Sequence, residues 1–253
     1  MKNSLTNKER TEEYLKKFDR EKVLKFLVKD NSPVIFDVGA NIGATLVEFK
    51  QWWPNAKVHC FEPQEECWRS LQNKIEDHNY KNVFVNKFAV GNQYDKQAVF
   101  YSHDITSGQS GFNKINVKSK DSINLNNLKD KSLNSIQEYE GSLNHERNVQ
   151  LVRLIDYMNE VEVEYINLLK IDTQGYEPEV LQGMGQKLLN VDVVITELMF
   201  YDFYERRLSF SDIEKFLIPA GFHLYDINYI SKNPMNGRTD WVDVISVNKN
   251  RCK

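Results

Sequence analysis

The spacing of apolar positions changes period several times along the chain. In its opening stretch Tyr14, Leu15, Phe18, Val23, Phe26 and Leu27 recur at helical intervals, and Glu12/Lys16, Glu13/Lys17 and Glu21/Lys25 place opposite charges one turn apart. This predicts one amphipathic helix in an N-terminal extension, residues 1–31, covering the edge of a core. From Ser32 the rhythm becomes strand, turn, helix: residues 34–38 are a short apolar run, 39–43 a tight glycine turn, and 44–53 a helix stopped before Pro54. A strand at 57–61, a helix at 64–77 and a strand at 82–90 continue the alternation. Such a βαβαβ order predicts a parallel sheet with helices on both faces.

Residues 97–102 form a further candidate strand, after which 113–148 is rich in Asn, Lys and Ser with isolated Ile and Leu. That stretch is too long for an ordinary connection and reads as an insertion, either a solvated loop or a lid over a site. Regular pattern resumes at 149–158. Residues 165–172 make an almost wholly apolar strand, 177–189 a helix, 191–197 a strand, and 209–220 a helix opened by Ser209 with Asp212 in its first turn. Strands at 222–229 and 241–248, separated by a turn-rich segment, predict a closing antiparallel hairpin. The expected fold is α/β and Rossmann-like, with a mostly parallel seven-stranded sheet in a single domain over 32–253.

Composition and charge narrow the function classes. With 253 residues, 41% hydrophobic and 27% charged, the chain has the make-up of a globular domain rather than of a disordered one. Its 33 basic against 36 acidic side chains give a net charge of −3, which supplies no field for a polyphosphate backbone, so nucleic acid is not an expected partner. No apolar run approaches the ~18 residues of a membrane span and the N-terminus lacks the apolar core of a signal peptide, so a cytoplasmic location without an integral membrane segment is expected. Cys60, Cys67 and Cys252 match neither a zinc spacing nor an even disulfide set and read as reduced thiols. The 5 histidines, among them His103 and His223, form no ligand pair, and nothing in the sequence decides the oligomeric state.

The strongest chemical signal is Asp37-Val-Gly-Ala-Asn-Ile-Gly43 between a strand and a helix, followed by Glu62 at the end of the next strand. In a doubly wound sheet both lie at the carboxyl edge, where ligands bind. Glycines admit close approach of the backbone to a ligand, and a carboxylate there can accept hydrogen bonds from both hydroxyls of a ribose. Asn41 occupies the place of the second glycine that a pyrophosphate needs, which disfavours a dinucleotide. S-adenosylmethionine, which has no phosphate and ends in an amino acid, fits better, with Asp37 to receive its ammonium. Ser107-Gly-Gln-Ser-Gly111 lacks the spacing of a hydrolase nucleophile elbow and reads as a flexible loop near the site.

At these residues the chain resembles the FkbM-type S-adenosylmethionine-dependent methyltransferases of class I. The likeness is carried by the Asp37 to Gly43 turn, Phe61-Glu-Pro63, Ala89-Val-Gly91 and, most specifically, Leu168-Leu-Lys-Ile-Asp-Thr-Gln-Gly-Tyr-Glu-Pro-Glu-Val-Leu-Gln-Gly183. It implies that Asp37, Gly39, Asn41 and Gly43 surround the methionine part of the cofactor, that Glu62 holds the ribose, and that Phe88 and Ala89 flank the adenine. It implies that Asp172 faces the reactive methyl with Gln174, Gly175, Tyr176 and Glu177 beside it, and that Glu197 lies on the same edge. The implied reaction is O-methylation of a sugar, glycan or natural-product hydroxyl. The long insertion and the closing strand Trp241-Val-Asp-Val-Ile-Ser246 depart from the family pattern and bear on the acceptor.

A hydroxyl acceptor needs its proton removed by a carboxylate or histidine, or its acidity raised by a divalent metal such as magnesium or manganese. Asp172 and Glu197 suit both schemes, as base or as metal ligands, and His223 is a further candidate base. The alternative for Asp172 is a turn or helix cap, and for Tyr201, Phe203 and Tyr204 the choice is between a sugar-stacking surface and aromatic core packing. A salt bridge between Lys170 and Asp172, two apart on one strand, is not expected. The rival functions are an NAD-dependent oxidoreductase and a non-catalytic binding module of the same fold.

Overall fold

Strands β1 (Val34–Val38), β2 (Lys57–Phe61) and β3 (Val83–Asn86) begin the larger of two sheets in a computed structural model that describes residues 6–123 and 136–251. The chain then turns aside. Residues 82–90, expected as one strand, break after Asn86, and β4 (Ala89–Val90) joins β5 (Lys96–Ser102) and β6 (His145–Val152) in a second, three-stranded sheet of order β4-β6-β5. The end of the expected insertion is therefore ordered strand, while 124–135 lie outside the described residues. The chain returns through β7 (Ile166–Ile171), β8 (Val191–Met199), β9 (Phe222–Lys232) and β10 (Thr239–Asn248).

The main sheet has the order β3-β2-β1-β7-β8-β10-β9, parallel as far as β8 and closed by the antiparallel β10 and β9. Its central strands β1 and β7 are buried and mostly apolar because both faces are covered, with Asp37, Asn167 and Lys170 as the polar exceptions. Phe36, Val38, Leu169 and Ile171 point into a cluster with Leu154, Val180 and Leu181, whereas Ile35, Leu168, Val193 and Ile195 face a second cluster containing Leu46, Phe49 and Val58.

The N-terminal extension differs from expectation. It forms two helices, α1 (Asn7–Lys17) and α2 (Arg20–Leu27), because Asp19 caps the second by accepting the Lys22 amide at 2.8 Å. Only α2 covers the core, through Val23 and Leu24; α1 buries no residue. The pairs Glu13/Lys17 and Glu21/Lys25 form as expected. Cys60 and Cys67 are free and buried, and Cys252 lies outside the described residues. Among the described residues no helix is long and apolar enough to cross a membrane.

Candidate functional site

The strand order reverses direction between β1 and β7, which is where a doubly wound sheet opens a crevice at its carboxyl edge. The register sets four side chains along that edge. Val38 pairs with Phe61 and with Ile171, and Ile171 pairs with Thr196, so the next residues of the four strands, Gly39, Glu62, Asp172 and Glu197, form a row. Between them lies a cleft of about 600 Å³, lined by Gly39, Asn41, Glu62, Ala89 and Asp172 among others. Gly39 has φ +80°, and a Cβ there would lie 1.9 Å from the Asp172 carbonyl oxygen, so only glycine lets the β1 turn lie against the end of β7.

Glu62 is held by the turns on either side. Its Oε2 accepts the Asn41 amide at 3.0 Å and its Oε1 the Gln64 amide at 2.7 Å, which leaves one lone-pair direction on each oxygen for a ligand. Burial pushes its pKa up to about 7 against those two hydrogen bonds.

Three of the expected cofactor residues stand elsewhere. Asp37 is fully buried beneath the cleft, directly opposite Lys170 in the β1–β7 register, and its Oδ1 lies 3.3 Å from the Lys170 ammonium. Burial pushes the Asp37 carboxyl up and the ammonium opposes it, so this carboxylate is spent on a buried lysine and does not line the cleft. Gly43 adopts φ +81° at the start of the following helix, where a Cβ would meet Leu71. Phe88 packs inward against Phe61 and Tyr157, with ring centroids 5.8 and 5.9 Å away.

Lys170 also reaches Asp172, Nζ to Oδ2 at 3.4 Å, contrary to the expectation that the two would not pair. Their side chains point to one face of the strand end, where Lys170 sits between two carboxylates. Asp172 does not cap the following turn; Glu177 does, its Oε1 accepting the Thr173 amide at 2.9 Å, the Thr173 hydroxyl at 3.2 Å and the Gly175 amide at 3.2 Å. Burial raises the Glu177 pKa to about 7.

Gln174, in the left-handed region at φ +57°, links the two candidate catalytic carboxylates. Its Nε2 carries two hydrogens and lies 2.7 Å from Asp172 Oδ1 and 3.1 Å from Glu197 Oε2. Its Oε1 lies 2.7 Å from the hydroxyl of Tyr204. Glu197 is half-buried, and desolvation first, then Asp172, Glu177 and Asp243, raises its proton affinity well above the ordinary carboxylate range. Asp243, from the unusual closing strand, is the register partner of Glu197 and accepts a hydrogen bond from Arg20 of α2 at 2.8 Å.

A smaller cleft of about 330 Å³ adjoins the first across Gln174, lined by Glu177, Glu197, Tyr201 and Tyr204 among others. The aromatic residues after β8 belong to a packed cluster, of which Tyr201 and Tyr204 border the smaller cleft. Tyr201, Phe203 and Tyr204 are buried with Ile115, Tyr139 and Leu143 from the two described ends of the insertion.

His223 is not brought to this edge. It pairs with Val247, which pairs with Val193, four residues back along β8 from Glu197, or about 13 Å at strand rise. The metal alternative for Asp172 and Glu197 does not fit the donors around them. The Lys170 ammonium and the Gln174 amide nitrogen, both hydrogen-bond donors, face the oxygens a cation would need. Among the described residues no group of three or more His, Cys, Asp and Glu could hold a metal ion.

The fold is a doubly wound α/β sheet, with its acidic cleft at the switch point where such sheets bind ligands. The methyltransferase FkbM domain model matches residues 37–224, and the chain belongs to that family. It is 26% identical over 166 residues to Methyltransferase 1 of Beauveria bassiana (strain ARSEF 2860), covering 65% of this chain and 64% of that protein. It is 25% identical over 187 residues to the 2-O-methyltransferase NoeI of Sinorhizobium fredii, covering 72% and 70%, and 28% identical over 155 residues to the 31-O-demethyl-FK506 methyltransferase FkbM of Streptomyces tacrolimicus, covering 60% and 59%. The crystal structure of methyltransferase FkbM from Methylobacillus flagellatus KT shares the fold with a TM-score of 0.50 at 11% identity, covering 85% of this chain and 44% of that one.

Proposed function

We propose that the protein transfers a methyl group from S-adenosylmethionine to a hydroxyl oxygen of a small-molecule or glycan acceptor. The observation that carries this reading is the charge of the large cleft. Among the described residues its only charged lining side chains are Glu62 and Asp172, with no Lys or Arg to read a phosphate. That lining suits a ligand with cationic ammonium and sulfonium groups and opposes the pyrophosphate of a nicotinamide dinucleotide. Two relatives named above are O-methyltransferases by name, which supports oxygen as the acceptor atom.

When bound, S-adenosylmethionine supplies an electrophilic methyl group on a sulfonium. The protein's own part is alignment and proton removal. Glu62, pinned by two backbone amides, offers its free lone pairs to the ribose hydroxyls. Asp172 and Glu197 stand where an acceptor hydroxyl can give up its proton, and Gln174 keeps the two oxygens facing one point.

Titration calorimetry with S-adenosylhomocysteine tests the reading. One site per chain is expected, and Glu62→Ala should weaken it by about 2–3 kcal/mol, the scale of charged hydrogen bonds. Labelled methyl transfer to a panel of hydroxylated acceptors then tests the chemistry. Binding of NAD in place of S-adenosylhomocysteine would overturn it.

A further inference from the structure

The loop after β5 has no part in the cofactor residues implied by the sequence, yet it forms one wall of the large cleft. Ser107, Gly108, Ser110 and Phe112 all line it, together with Phe100 of β5. The segment is tied down at both ends and in the middle. The Ser107 hydroxyl donates to Asn41 Oδ1 at 2.9 Å, which anchors the loop to the β1 turn. The Tyr204 hydroxyl lies 2.8 Å from the Gln109 carbonyl oxygen, and Gly111 exchanges backbone hydrogen bonds with Tyr101 at 2.8 and 3.1 Å. Within this fixed segment Ser110 is 8% exposed, and its Oγ is buried without a hydrogen-bond partner. A buried hydroxyl left unpaired costs free energy, and one that borders a cleft is free to pair with a polar group of whatever occupies it. Phe112 is half-buried, edge-on to Phe100 with centroids 5.4 Å apart and 4.4 Å from the Tyr176 ring. Those contacts fix the plane of a ring that borders the cleft.

We propose that this strap is the nucleoside wall of the cofactor site, with Ser110 Oγ as a hydrogen-bonding group for the nucleoside and Phe112 as the aromatic surface against its base. The inference rests on the reading of the cleft as a nucleoside-sulfonium site. It replaces Phe88, which points into the core, as the aromatic residue beside the base. An aromatic face holds a base by stacking and apolar contact, and a nearby hydroxyl selects its orientation.

The test is calorimetry of the full chain and of Ser110→Ala and Phe112→Leu with two probes, S-adenosylhomocysteine and adenosine, together with amide hydrogen exchange of 104–112. Ser110→Ala should weaken both probes about two- to twelve-fold. Phe112→Leu should weaken both at least about five-fold. S-adenosylhomocysteine should slow exchange across the strap in the unaltered protein, a readout that stands even if Phe112→Leu folds poorly. Wild-type affinity in both variants, with no slowing of exchange, would remove the strap from the site. Loss of S-adenosylhomocysteine affinity with adenosine unaffected would put the wall at the amino-acid end and overturn the assignment to the base. Failure of the unaltered chain to bind either probe would sink the cofactor reading itself, an outcome distinct from the other two.

Discussion

Glu177 illustrates how one side chain serves structure and carries a pH signature. Its Oε1 gathers three donors of the turn after β7, while Oε2 is buried without a partner. The folded pKa is raised to about 7, above the ordinary glutamate value of about 4.3. The sign follows directly: the folded state binds this proton more tightly than the unfolded chain, so the associated stability is full below about pH 4.3 and is lost as pH rises through 7. Glutamine keeps the carbonyl oxygen for the turn and cannot ionise. Glu177→Gln should therefore raise unfolding free energy at pH 8 by up to about 3 kcal/mol and by much less at pH 5. Urea titrations at the two pH values check this, and equal gains at both would show that Glu177 is not the ionising group.

At the scale of elements, the glycine ending the Leu168 to Gly183 motif has a packing reason. Gly183 lies in the helix Glu177–Met184, where alanine normally stabilises by roughly 0.5–1 kcal/mol over glycine. Here a Cβ would sit 1.9 Å from the Gly91 carbonyl oxygen, at the end of β4. That contact is backbone against backbone, so no rotamer relieves it. Gly183→Ala should destabilise by at least about 3 kcal/mol, or fail to give soluble protein, despite the better helix propensity. Chemical denaturation measures it, and a stabilised variant would mean that helix and β4 are not in contact. The same contact packs the helix against the end of β4 in the second sheet.

At the scale of the whole molecule, the two N-terminal helices should separate experimentally. Removing residues 1–18 takes away a helix with no buried side chain and should cost less than about 1 kcal/mol. Removing residues 1–28 uncovers the core contacts of Val23, Leu24 and Val28, each worth about 1.5–3 kcal/mol, and leaves Asp243 without Arg20 beside Glu197. The longer truncation should lower the melting temperature by well over 10 °C while the shorter one barely moves it. Equal melting temperatures for the two truncations would show that α2 does not pack as described.

The sequence by itself determined the strand–helix order, the seven-stranded sheet with its antiparallel close, and the placing of Gly39, Asn41, Glu62, Ala89, Asp172 and Glu197 along one edge. Those features follow from local hydrophobic period, from turn residues and from the rule that strand ends gather at one edge, all of which read along the chain. Tertiary structure alone decided which carboxylate faces the cleft and which is buried against a lysine. Asp37 and Asp172 look alike in sequence, and the cross-strand register that sets Asp37 opposite Lys170 is a non-local pairing. It also decided that Phe88 turns inward, that His223 lies four residues of strand from the edge, and which side chains of the 107–112 loop, read from sequence only as near the site, line the cleft. The second sheet pairs β5 with β6 across a long stretch of weak pattern, and such contacts between distant segments leave no local periodicity to read.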